Sequence, residues 1–343
     1  MTDRSKRTDS SSAESAHQRA RGPVAAWPAT EPRDIAVSSG QARLAVDLRG
    51  GNLRRLVVGE WDVLDSYPAG TIPSGRRGGV LVPWPNRLRD GRYVWQGSKL
   101  QLEVAAPDVP TANHGLLSWQ PWSELAAGDG TVTVGTVLEA RPGYPFRLAV
   151  AVDYALTPDQ LSVTVRVRNV GDQPAPVGVG MHPYLYVGAA CDGDIGAAEL
   201  SIPARTAADV VDGLPTGRRT PFDGAIGRIG DRALDIPLTD LIRGEDSWAR
   251  LRLRGSAGEL TLSVDEQWPW LQVYSGDTLP EGQRRRSLAV EPMTCPANAL
   301  ATGTDLLVLA PAAGWAGSWT LSWSAAGPAD QPSSRSRRTS RAA

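Results

Sequence analysis

The chain is poor in several residue types, and each scarcity closes off a class of explanation. Only two of its 343 residues are Cys, Cys191 and Cys295. With no Cys-x-x-C spacing, neither a disulfide framework nor a thiolate metal knot can be built, and reduced thiols are expected. Lys is nearly missing: apart from Lys6 and Lys99, all 36 basic residues are Arg. The formal net charge is −1, with +2 on residues 1–22 and +3 on residues 327–343, which leaves −1 − 5 = −6 on the body between. An acidic body lacks the basic face that would replace phosphate counterions, so no nucleic-acid partner is expected. No run of 18 apolar residues exists to span a membrane. The first twenty residues hold no 7–15-residue apolar stretch of the kind a secretory signal needs. A cytoplasmic location is the expectation.

A sustained helical period is also missing. No 12-residue stretch repeats apolar residues every 3.6 positions, whereas short alternating runs recur. Residues 161–168 (LSVTVRVR) alternate without a break, and 147–156 (RLAVAVDYAL) precede them across a Thr-Pro-Asp turn. Residues 249–254 and 259–264 flank a Gly-rich turn in the same way. Further strands are expected near 131–137, 270–274, 287–290, 306–309 and 319–323. With 36 Gly and 27 Pro between short strands, the pattern predicts an all-β fold, a large antiparallel sandwich. No linker interrupts residues 31–326, so one domain is expected there, between disordered tails at 1–30 and 327–343.

What is present is sparse and concentrated. Of three His, His17 lies in the polar N-terminal tail. His114 sits in Asn113-His114-Gly115, and His182 in Gly180-Met181-His182-Pro183-Tyr184. Histidine is the side chain that exchanges a proton near neutral pH. A Gly after His114 allows close backbone approach, and a Pro after His182 forces an extended backbone at the end of a strand. Each ring serves equally well capping a turn or bonded in a core. In Pro83-Trp84-Pro85-Asn86-Arg87 two Pro forbid a helix or a central strand, so a stiff loop presents Asn86 and Arg87. An Arg there can grip hydroxyls, or pair an acidic side chain across the loop. Glu291 ends the apolar run Leu288-Ala289-Val290 and precedes Pro292. Burial would raise its pKa and make it a stronger base; pairing with an Arg is the other reading. Twelve Trp against two Phe suit both core packing and stacking on sugar rings, with Trp84 and Trp270 the candidates for stacking.

Five segments together resemble the aldose 1-epimerase (galactose mutarotase) family. They are Pro83–Arg87, 113–116 (NHGL), 180–184 (GMHPY), Trp270–Tyr274 and 290–294 (VEPMT), in the family's order across about residues 35–325. The branch most similar is a bacterial one with the Pro-Trp-Pro-Asn-Arg loop. The resemblance implies a galactose-mutarotase-like sandwich, a monosaccharide cleft, no cofactor and no metal, in a monomer or weak dimer. It implies Glu291 as general base, His182 as general acid, His114 as the second active-site His and Arg87 as the group orienting hydroxyls. The family's hydroxyl-binding Asp maps to Asp235, although the His and aromatic that usually follow are missing here; Asp240 is the substitute. The implied reaction interconverts α and β anomers by opening the ring. Three other activities stay open: a sugar-binding sandwich without catalysis, a hexose-6-phosphate epimerase using Arg76, Arg77 and Arg284 to Arg286, and a His₂-carboxylate metal enzyme.

Overall fold

A computed structural model describes residues 34–104, 110–188 and 194–326. The expectations for the two tails, and for His17 and Cys191, fall outside them. Within them the regular structure is almost wholly strand, and its one α-helix is the single turn Ala299–Thr302. No helix there is long and apolar enough to cross a membrane.

Two large sheets carry the fold. The nine-stranded sheet runs Ser123–Gly128, Thr131–Leu138, Leu148–Leu156, Gln160–Asn169, Gly314–Ala325, Gly258–Val264, Ala249–Arg254, Glu199–Ser201, Ala225–Arg228. Its centre is the hairpin read from the alternating pattern, with Leu161 opposite Leu156 and Arg168 opposite Ala149. Leu161, Val163, Val165 and Val167 are buried on one face while Arg166 and Arg168 are exposed on the other.

The eight-stranded sheet runs Leu214–Pro221, Ala204–Val211, Asp235–Leu241, Trp270–Tyr274, Leu288–Met293, Gly180–Met181, Val80–Leu81, with Tyr184–Leu185 also paired to Leu288–Met293. All its pairings are antiparallel. Leu288, Val290, Leu271 and Met181 share one apolar core with Val163, Leu262, Trp319 and Leu321 of the other sheet. The Trp319 indole N–H reaches Met181 Sδ at 3.2 Å. This is the expected sandwich.

Side chains alternate across a strand, so burying Leu288 and Val290 in the core turns Ala289, Glu291 and Met293 to the opposite face. One expectation needs correcting there. Glu291 does not end its strand, which runs on through Pro292 to Met293. The amide hydrogens of Val290 and Thr294 reach the carbonyls of Pro183 and Val179, on the side where Gly180–Met181 and Tyr184–Leu185 lie. Position 292 faces the gap between those two strands, where His182-Pro183 breaks the ladder. The hydrogen that Pro292 lacks is therefore not missed, and a Pro is tolerated inside the sheet.

Candidate active site

Four elements converge on the outer face of the eight-stranded sheet. Strand Leu288–Met293 carries Glu291. The break after Gly180–Met181 carries His182. The loop after Val80–Leu81 carries Asn86 and leads into strand Arg87–Arg89, which pairs with Thr111–Asn113 so that Arg87 lies opposite Asn113. That ribbon brings the loop and the Asn-His-Gly motif together. Gly115 adopts φ 71°, and a Cβ there would lie 2.2 Å from the Val82 carbonyl oxygen, so only glycine lets the two loops close up.

The result is a cleft of about 640 Å³, lined by Asn86, Arg87, His114, His182, Asp235 and Glu291 among others. Six of the seven expected site residues meet there. A depression of about 760 Å³ on the nine-stranded sheet is lined mainly by small and aliphatic residues, with Arg166 and Arg168 as its only charged groups.

At the floor, His182 Nε2 lies 3.2 Å from Glu291 Oε1, and both side chains are almost fully buried. Burial pushes the Glu291 carboxyl well above the usual range; the nearby Asp235 charge adds to this and Arg87 opposes it. Burial also pushes His182 down to about 3, with Arg76 and Arg77 contributing. Each group alone thus favours its neutral form. The alternative of an Arg-paired Glu291 is not what forms: its partner is an imidazole.

His114 faces His182, with ring centroids 5.3 Å apart. Its Nδ1 accepts the Asn86 amide hydrogen at 3.1 Å, so the neutral ring carries its proton on Nε2. Burial first, then His182, Arg76 and Arg87, hold its pKa well below the ordinary value. Asp235 Oδ1 accepts from Gln272 Nε2 at 2.5 Å. Burial raises the Asp235 pKa, against the pull of Arg87 and Gln272. Asp240, the substitute, is not among the residues lining the cleft, whereas Asp235 is. Glu291 Oε2, His182 Nδ1 and Gln272 Oε1 are buried with no partner among the described residues. Unpaired buried polar atoms cost about 1–3 kcal/mol each.

Trp270 is a correction. It lies on the cleft-side face of its strand but is packed with Ala208 and Met293, 1% exposed. Its indole N–H donates to Asp305 Oδ2 at 2.8 Å, and Arg219 sits 5.2 Å from its ring centroid. It supports the sheet beyond the cleft. Trp84 does line the cleft, though edge-buried at 3%. The aromatic open at the mouth is Trp119, 47% exposed, with Arg76 5.8 Å from its ring centroid. Sequence reading missed Trp119, Tyr184, Tyr274 and Gln272. The strand register alone places Gln272 opposite Glu291.

The chain belongs to the aldose 1-epimerase family, whose model matches residues 34–322. The uncharacterized protein YihR of Escherichia coli (strain K12) is 32% identical over 282 residues, covering 80% of this chain and 88% of its own. The fold is similar to a solved GalM/aldose epimerase homologue from C. elegans (TM-score 0.75, 17% identity, 87% of this chain and 100% of that one). It is also similar to a galactose 1-epimerase from Lactobacillus acidophilus NCFM (TM-score 0.70, 18% identity, 86% and 95%).

Proposed function

We propose that this member of the family is an aldose 1-epimerase, an isomerase that exchanges the α and β anomers of a free hexose, and that it sits in the branch with a Pro-Trp-Pro-Asn-Arg loop. The reading is carried by the contact between Glu291 and His182 on the floor of a polar cleft. Two groups that each prefer neutrality, within hydrogen-bonding distance, can hold one proton between them. With the proton on Glu291 the pair is uncharged. Its transfer to His182 yields a carboxylate and an imidazolium side by side, a base and an acid in one step. Arg87 favours that transfer by stabilising the carboxylate.

Glu291 then takes the proton from the C1 hydroxyl while His182 gives its proton to the ring oxygen. The C1–ring-oxygen bond breaks and C1 becomes the aldehyde. Rotation about C1–C2 presents the other face, and closure returns both protons. Each positioned donor or acceptor contributes about 10²–10⁴-fold. His114 Nε2–H, Arg87, Asn86 and Asp235 hold the hydroxyls, and Trp119 covers the apolar face of the ring.

A second reading, an aldose bearing an anionic group, is favoured by Arg76. It lines the cleft, and burial alone shifts its pKa, with no carboxylate contributing. The wider Arg cluster gives it no help: Arg77 and Arg286 contact Asp65, Arg285 contacts Asp194 and Asp277, Arg284 donates to the Leu279 carbonyl, and none of the four lines the cleft. Polarimetry on freshly dissolved α-glucose and α-galactose tests the first reading, and the 6-phosphates in parallel test the second. Sugar binding without faster anomer exchange on any of them would leave only a binding protein.

A further inference from the structure

His182 touches Glu291 through Nε2, while no other side chain among the described residues holds the ring by its second nitrogen. Catalytic imidazoles are usually oriented by a hydrogen bond at the second nitrogen. His182 Nδ1 has no partner among the described residues. The rotation of an imidazole about its Cβ–Cγ bond is soft, so something else must fix its plane.

Tyr184 does so by stacking. Its ring lies parallel to His182, within 2°, with centroids 4.9 Å apart. The Tyr184 hydroxyl is spent on the Gly75 carbonyl, to which it donates at 2.9 Å. Arg77 lies with its guanidinium carbon 4.8 Å from the Tyr184 ring centroid. Arg77 is itself immobilised: Nε and Nη2 donate to Asp65 Oδ2 at 3.1 and 3.0 Å, and Nη1 donates to the Ser74 carbonyl at 2.9 Å. Asp65 Oδ2 accepts again from Ser287 Oγ at 2.9 Å. The backbone ties the same residues. Gly78 donates to the His182 carbonyl at 2.9 Å, His182 to Gly79 at 3.0 Å, and Asp65 to Tyr184 at 2.9 Å. Gly78 has φ 69°, and a Cβ there would sit 2.0 Å from the Leu53 carbonyl oxygen, so position 78 fits only glycine.

We propose that Tyr184, clamped by the buried Asp65–Arg77 pair, is a positioning residue that sets the plane of the His182 ring against Glu291. The inference rests on the anomer-exchange reading above. Misplacing a reacting group by about 1 Å can cost about 10²-fold. Tyr184→Leu removes the flat face and should lower kcat about 10- to 100-fold with KM within about twofold. Tyr184→Phe keeps the face, loses only the bond to Gly75, and should restore kcat to within about threefold of the parent. Arg77→Lys keeps the charge opposite Asp65 but not the planar fork, and should fall between.

The test is steady-state anomer exchange per folded molecule, with folding checked by circular dichroism. Should the Leu variant not fold, Tyr184→Met, which fills the space with a flexible chain, carries the same comparison. A merely structural role would lower the melting temperature and leave kcat intact. Parental kcat in the Leu or Met variant, or a loss that Phe does not restore, overturns the proposal. Absence of anomer exchange in the parent protein would instead overturn the function itself.

Discussion

His114 accepts the Asn86 amide hydrogen through Nδ1 at 3.1 Å, which leaves Nε2–H as the ring's donor. The bond joins two sequence motifs 28 residues apart and leaves His114 a neutral donor facing the cleft, the role the proposed function gives it toward a sugar hydroxyl. His114→Ala should lower kcat/KM about 10- to 100-fold, mainly through KM, because a hydroxyl contact made before and during reaction is lost. Saturation kinetics decide it; a pure kcat effect would contradict the assignment.

Arg87 pulls on both carboxyls of the cleft, lowering Glu291 and Asp235 against their burial. Arg87→Met removes that pull, so both carboxyls should hold protons to higher pH. The pH profile of kcat should be bell-shaped, its limbs belonging to the Glu291–His182 pair. In Arg87→Met its alkaline limb, where the shared proton is lost, should move to higher pH. An unmoved limb would place the rate-determining proton elsewhere.

Stability should carry opposite signatures of the two buried groups. Unfolded His takes up a proton near 6.5 and buried His182 only near 3. Its contribution is complete above 6.5 and drains as pH falls from 6.5 toward 3, by up to about 1.4 kcal/mol per pH unit. Glu291 runs the other way: unfolded it ionises near 4.5 while the buried group keeps its proton, so its contribution drains as pH rises above 4.5. Relative to the parent, His182→Asn should therefore lose less stability between pH 6.5 and 4.5, and Glu291→Gln should lose more. Urea unfolding at several pH values reads both slopes, and parallel slopes in all three proteins would contradict the burial argument.

The two tryptophans part company in the same way. Trp270→Ala should cost about 3–5 kcal/mol through the cavity it leaves, with KM little changed in the folded fraction. Trp119→Ala, at an exposed site, should leave stability within about 0.5 kcal/mol and raise KM roughly three- to tenfold, the loss of one stacking face. Unfolding curves and KM values on both variants separate the roles.

The two residues also mark where sequence reading stops. Alternation identified the hairpin of Leu148–Leu156 and Gln160–Asn169 because each strand buries one face and leaves the other partly open. Breaks in that alternation also singled out residues that meet in the cleft, because Pro and Gly isolate Asn86, His114 and His182 from their surroundings. It did not identify Leu288–Met293 beyond Val290, since a strand buried on both faces has no period and Pro292 looked like a stop. It missed all three strands Ala204–Val211, Leu214–Pro221 and Ala225–Arg228, whose mixed Gly, Arg and Thr content hides any alternation. Trp270 misled because strand direction gives the face but not what covers it. Ala208, Arg219 and Asp305, all distant in the chain, close over that ring.

Exchange NMR on an equilibrated α/β mixture of an accepted hexose tests the central claim most directly, because it reads interconversion of the anomers without any coupled reaction. The account predicts exchange well above the spontaneous rate in the parent protein, and exchange reduced by at least about 10²-fold in both folded Glu291→Gln and folded His182→Asn. Parental exchange rates in both variants would contradict it.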